Sequence, residues 1–324
     1  MGTRIKSFAK WLLLFLPLIG SNAWAQSFPS KPIHIVVPFT PGGGNDLFAR
    51  AYAQKLQERH GQPVIVDNKP GASGNIGAEY VAKSAPDGYT LLLAYPALTI
   101  LPWLSKSMPF NVMKDFGPIG IGATMPMVVV VATKLPIKSI QDLIDYAKAN
   151  PGKLSYATPG IGTSHHVATE LFMQMTGTKM VMVPYKGAAG MLADLTRGEV
   201  HVMFGALNST VPLIRAGKIR AIALAERQRV PMFKDLPTVS ETLPGYAVNF
   251  WFGLMAPAGT PEAITTMLSD EMRLIVGMPD VRERLAGVGF DSSNPTSPAE
   301  MHRIMAADLE KWGKVIKTAG IKPQ

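Results

Sequence analysis

Three successive glycines, Gly42, Gly43 and Gly44, stand between Phe39-Thr40-Pro41 and Asn45-Asp46. Glycine lets backbone N–H groups come close to a ligand. Residues 33–39 form an apolar run that reads as a buried strand. After the glycines, Leu47, Phe48, Ala51, Tyr52 and Leu56 recur at helical spacing. A helix opening there points unsatisfied N–H groups and the positive end of its dipole at whatever lies over the loop. That chemistry suits an anion; the competing reading is a tight turn needed only for packing. Known phosphate loops fit badly. A Walker loop needs Lys and then Ser or Thr where Asn45 and Asp46 stand, and the dinucleotide fingerprint needs a glycine at Leu47. Asp46 would repel an anion and is expected to cap its own helix.

A second loop shares this logic. Gly160-Ile161-Gly162-Thr163-Ser164-His165 precedes a helical pattern carrying Val167, Leu171, Phe172 and Met175. If the two loops face each other, two helix N-termini converge on one cleft. Each terminus contributes about 0.3–1 kcal/mol to an exposed anion, and about 2 when partly buried. Charge-assisted hydrogen bonds add about 1.5–3 kcal/mol each. Backbone N–H groups with the hydroxyls of Thr40, Thr163 and Ser164 could then reach the roughly 8 kcal/mol of micromolar binding without an arginine.

The positioning elements follow from periodicity. Strands are expected at 63–67, 89–94, 127–132, 154–157, 180–183, 200–204, 219–224 and 249–255, with helices between most of them. Residues 96–126 are dotted with Pro and Gly and read as irregular. Ser139 is expected as an N-cap, Thr260-Pro261 as cap and first helical position, and Ser297 with Glu300 as a capping box. Alternating strands and helices imply mainly parallel sheets, whose ligands bind at strand C-termini. Two such α/β sets join near Met127, and the late strand near Phe252 could return to the first. That return would make a two-lobed clamshell with a two-strand hinge; tandem domains are the alternative. Tyr95, Tyr185 and Phe204 lie just after or at the ends of strands and could wall an apolar pocket or serve ordinary packing.

The 324 residues are 47% hydrophobic, enough for two domains with a sizeable core. Net charge is +9, yet no basic run with interleaved aromatics marks a nucleic-acid site. Arg4, Lys6 and Lys10, the apolar 11–19 and Ala23-Trp24-Ala25 read as a cleavable signal peptide over 1–25. Its loss leaves 32 − 3 − 23 = +6. The chain has no cysteine, which excludes disulfides, Cys-ligated zinc and a lipid anchor at the cleavage site. An exported protein not embedded in a membrane is expected. His165, His166 and Glu170 supply too few ligands for zinc, so no metal is expected. Ser164 beside His165 lacks a G-x-S-x-G elbow, and helical neighbours rarely face each other, so an enzyme is a poor second reading.

Several stretches resemble one family in order along the mature chain: 28–33, 37–46, Gly71-Ala72-Ser73-Gly74-Asn75-Ile76-Gly77, 85–91, Tyr185-Lys186-Gly187 and 254–261. They resemble the Bug-type substrate-binding proteins of tripartite tricarboxylate transporters. The resemblance implies an α/β periplasmic binding protein of the type II-like clamshell form, with lobe one at 26–126 and 250–324 and lobe two at 127–249. It implies a periplasmic, monomeric receptor without cofactor, which delivers a small carboxylate to the membrane components of a tripartite transporter. A sensing role with a membrane receptor is the alternative. By the resemblance, Phe39, Thr40, Gly42, Gly43, Gly44 and Asn45 face Gly162, Thr163, Ser164 and His165 across the carboxylate. Many relatives have Thr at Asn45, and many have Asp where this chain has Gly205. The second departure argues against an amino acid ligand and towards a dicarboxylate or aromatic carboxylate.

Overall fold

A computed structural model describes residues 28–185, 187–230, 233–248 and 250–323, so the expected signal peptide and Asn249 lie outside the described residues. The first part of the chain forms β1 (Ile33–Val37), α1 (Gly44–His60), β2 (Val64–Asn68), α2 (Asn75–Ala82), β3 (Thr90–Ala94), the short α3 (Ala97–Ile100) and β4 (Phe116–Thr124). Next come β5 (Met127–Ala132), α4 (Ile140–Ala149), β6 (Ser155–Thr158), α5 (Ser164–Thr176), β7 (Val181–Pro184), α6 (Ala188–Arg197), β8 (Val202–Ala206), α7 (Leu207–Arg215), β9 (Ile219–Leu224) and the short α8 (Val239–Thr242). The chain finishes with β10 (Trp251–Pro257), α9 (Glu262–Gly277), α10 (Pro279–Gly287) and α11 (Pro298–Thr318).

Two five-stranded sheets result, ordered β2-β1-β3-β10-β4 and β7-β6-β8-β5-β9. In the first, β10 runs antiparallel to both β3 and β4; in the second, β5 runs antiparallel to both β8 and β9. The mainly parallel sheets expected are therefore mixed through a single reversed strand in each. The reversal follows from the crossings. β5 and β10 start where the chain enters a lobe and lead away from the cleft, whereas β1, β3, β6 and β8 run towards it. The crossings themselves pair: Thr124 lies opposite Trp251, and the Met125 N–H donates to the Phe250 carbonyl at 2.7 Å. The hinge thus consists of two extended segments, completed by the Ala225 N–H on the Met127 carbonyl at 2.7 Å.

Strand alternation places successive residues on opposite faces, and both faces are covered. In β1, Ile35 and Val37 pack beneath α1 with Phe48, while Val36 packs with Leu92 and Met255 on the other side. In β5, Val129 and Val131 join Phe172 and Tyr246, and Val128 and Val130 join Met191 and Leu195. The four-valine run is buried on both sides, which explains its lack of polar alternation.

β4 falls in the stretch expected to be irregular. Its glycines and Pro118 hide it from periodicity, but it is an edge strand, where Pro is tolerated. The glycines permit close approach to β10: a Cβ on Gly253 would stand 2.2 Å from the Gly120 carbonyl oxygen. Ser139 and Ser297 cap α4 and α11 through the N–H groups of Asp142 and Glu300. Thr260 does not cap α9; its hydroxyl donates to the Pro257 carbonyl at 2.8 Å, and Pro261 occupies the cap position. α11 spans both sheets. Met301 and Met305 pack with Trp251 on the first, and Trp312, Val315 and Ile316 pack with Phe172 and Tyr246 on the second.

Candidate functional site

Four strand-to-helix junctions, β1–α1, β6–α5, β7–α6 and β8–α7, open onto one cleft of about 260 Å³ between the sheets. Gly44 and Asn45 enter it from the first turn of α1, with Met125, Phe250 and Phe252 from the crossings and β10. The facing wall is Pro159 and His165, then Ala188 and Met191 of α6. Met203, Gly205 and Ala206 of β8 and Asn208 and Ser209 of α7 complete it. Parallel strands bring their C-terminal ends, and therefore the following helix N-termini, to the same edge.

Asp46 organises the first loop. It is the third residue of α1; Gly43 holds the cap position with no side-chain cap bond, so Asp46 does not cap the helix as the sequence suggests and instead ties the loop together. Its buried carboxylate accepts from the Gly42 N–H at 3.0 Å, Arg50 Nε at 2.9 Å and Asn68 Nδ2 at 3.0 Å. Burial pushes its pKa up, but the bonds from Arg50, Gly42 and Asn68 outweigh this and hold it below the usual carboxylate range. Asn68 Nδ2 also donates to the Phe39 carbonyl at 3.0 Å. The carboxylate therefore consumes one loop donor, Gly42, and stiffens the rest. The first-turn N–H groups of Gly44 and Asn45 have no carbonyl one turn earlier to bond. Asn45 Oδ1 is buried without a hydrogen-bond partner among the described residues, at the cleft wall. Thr40, Gly42 and Gly43 form the exposed lip beside it.

The second loop is tied down from within. The Thr163 hydroxyl caps α5 by accepting from the His166 N–H, and donates to the Gly160 carbonyl at 2.8 Å. Gly162 has φ +80°, and a Cβ there would stand 2.7 Å from Leu104 Cδ1, in the segment between α3 and β4. Its N–H donates to His166 Nδ1 at 3.3 Å, which leaves the proton of the neutral ring on Nε2. Burial pushes both His165 and His166 down to about 4, so both rings are neutral near pH 7. Glu170, whose pKa burial raises, accepts from the Tyr156 hydroxyl at 2.9 Å and lies 3.7 Å from His166 Nε2. His165 reaches the cleft and meets the Phe250 ring edge-on at 6.0 Å between centroids. Ser164 is buried in the first turn of α5.

Of the residues singled out from sequence, Gly44, Asn45, His165 and Gly205 line the cleft. The aromatic candidates sit elsewhere. Phe204 is fully buried against Phe172 and Tyr246. Tyr95 stacks edge-on against Phe39 at 4.7 Å, and its hydroxyl donates to the Ser73 carbonyl beneath the 71–75 turn. The Tyr185 hydroxyl donates to Asp194 at 2.7 Å and holds the ring against α6. Sequence reading passed over Asn208 and Ser209. The signal was present, since 205–209 is a third strand-to-helix junction of the kind already recognised. Met125, Met191 and Met203 carried no such signal, because a cleft methionine and a core methionine look alike in sequence.

The family model described as "Tripartite tricarboxylate transporter family receptor" matches residues 48–321. BugT of Bordetella pertussis is 36% identical over 307 residues, 94% of each chain. The adipate-bound Rpa4515 of R. palustris superposes with TM-score 0.80 at 39% identity, covering 92% of this chain and all of that one. The malate-bound MatC of Rhodopseudomonas palustris superposes with TM-score 0.75 at 30% identity, covering 89% of this chain and all of that one. The chain belongs to the tripartite tricarboxylate transporter receptor family, whose members are periplasmic solute receptors rather than enzymes.

Proposed function

We propose that this chain is an extracytoplasmic receptor that captures a small carboxylate between its lobes and delivers it to the membrane components of a tripartite transporter. The observation that carries this is the convergence of the α1, α5 and α7 N-termini on one cleft with no Lys or Arg among its described lining residues. An anion there is held by main-chain N–H groups and the polar side chains of Asn45, Asn208 and Ser209. The adipate and malate found in the two relatives support the same ligand chemistry. On this reading, 26–126 and 250–324 form one lobe and 127–249 the other, closing about the paired crossings, with α11 as a strap across both. Loops at 39–45 and 162–165 grip the carboxylate, and a cleavable leader sends the chain to the periplasm.

A thermal-shift series on the mature chain, refolded to strip carried-over ligand, tests this. A carboxylate at 100 times its Kd stabilises the fold by about 2.7 kcal/mol, which raises Tm measurably. No shift with any mono-, di- or tricarboxylate refutes the receptor reading.

A further inference from the structure

The cleft wall sorts into two chemistries. Polar groups lie where helices begin, at Asn45, His165, Asn208 and Ser209. The rest is sulfur and hydrocarbon, above all Met125, Met191, Met203, Phe250 and Phe252. Among the described lining residues there is no Asp or Glu to neutralise an ammonium group, and His165, held neutral by burial, adds no charge. A ligand hydroxyl or charge placed in mid-chain, against the methionines and phenylalanines, would lose its water without gaining a partner, whereas a carboxylate at either end of a chain can meet the polar groups of the helix starts. We infer that the cleft selects a carboxylate whose body is hydrocarbon, an aliphatic chain or an aromatic ring, and rejects amino acids, hydroxy acids and tricarboxylates.

This inference rests on the receptor reading and adds the ligand's body to it. Methionine suits such a wall, since its flexible thioether moulds to chains and rings alike. Gly205 sets the available room. A Cβ at that position would stand 2.3 Å from Met203 Cε, so any larger residue pushes the Met203 methyl aside.

The test is calorimetric titration of the refolded mature chain with succinate, glutarate, adipate and pimelate, and with benzoate, malate, citrate, aspartate and glutamate. Burial of each added methylene should tighten binding about fourfold until the cleft is full, so adipate should bind at least tenfold tighter than succinate. Adipate or benzoate should exceed malate, citrate and both amino acids by at least tenfold. In Gly205→Ala the displaced methionine should shorten the preferred chain by one or two methylenes; the wild-type series decides the matter if this variant does not fold. Malate, citrate or an amino acid binding as tightly as adipate and benzoate overturns the hydrocarbon-body inference and leaves the receptor reading standing. Absence of binding by every carboxylate overturns both.

Discussion

Replacing Glu226 by Gln should make the protein more stable at alkaline pH. Glu226 follows β9 at the hinge, and its carboxyl accepts from the Met127 N–H at 3.3 Å. Burial pushes its pKa up, the Met127 bond and Lys311 pull it down, Asp291 raises it again, and the result is about 8 against an ordinary 4.5. Lys311 helps little, because it is bound to Asp308 at 3.0 Å and lies over the Trp312 ring at 4.1 Å. Tyr246 also feels the Glu226 charge, and its own hydroxyl stays protonated, donating to the Ala168 carbonyl. Between the two pKa values the folded chain holds a proton that the unfolded chain has released. Stability must therefore fall as pH rises from about 4.5 to 8 and level off above. At 1.36 kcal/mol per unit the ceiling is roughly 5 kcal/mol, with about 3 already lost at pH 7. Gln keeps an acceptor for Met127 and cannot ionise. Urea denaturation of both proteins at pH 5, 6.5 and 8 isolates this group, because other titrations cancel in the difference. The variant should match the wild type near pH 5 and exceed it by several kcal/mol at pH 8. Parallel stability curves across that range, or a less stable variant at pH 8, would refute a protonated hinge carboxyl.

Two further substitutions address the loops. Asp46→Ala strips three donors of their acceptor and should cost about 2–4 kcal/mol in denaturant unfolding at pH 7. Because the folded pKa of Asp46 lies below 3.8, that difference should persist above pH 4 and vanish as pH falls through the folded value; a difference constant down to pH 2 would contradict it. Gly162→Ala combines a strained positive φ with a 2.7 Å approach to Leu104, and should lose about 1–2 kcal/mol of stability along with ligand affinity in calorimetry. Unchanged affinity would remove the 160–165 loop from the ligand's surroundings.

Much of this molecule is legible from local pattern. The helix starts at Ser139 and Ser297, the four-valine β5 and the glycine loops before α1 and α5 depend on residues a few positions apart, so spacing reveals them. Asp46 shows the boundary. Its place after three glycines suggests a helix cap, yet Gly43 holds that position, and the grip of Asp46 on Asn68 requires β2 to lie beside β1. β4 was invisible because glycine and proline normally interrupt strands, and only its pairing with β10 makes it one.

The aromatic residues mark the same divide at the site. Phe204 lies in β8 between two cleft residues, and Tyr95 and Tyr185 follow strands just as other cleft residues do, yet strand alternation and loop closure send Phe204 into the core, Tyr95 under a turn and Tyr185 onto α6. Asn208 and Ser209 reach the cleft because β8 lies between β6 and β5, a neighbourhood set by sheet order. The hinge carboxyl at Glu226 has an ordinary sequence context; the packing of the crossings and α11 around it creates its pKa. Capping, turns and amphipathic faces are governed by interactions within a few residues, and the amino-acid order alone carries them. Which side chains meet in the cleft depends on contacts between residues far apart in the chain, and those exist only once the two sheets have packed.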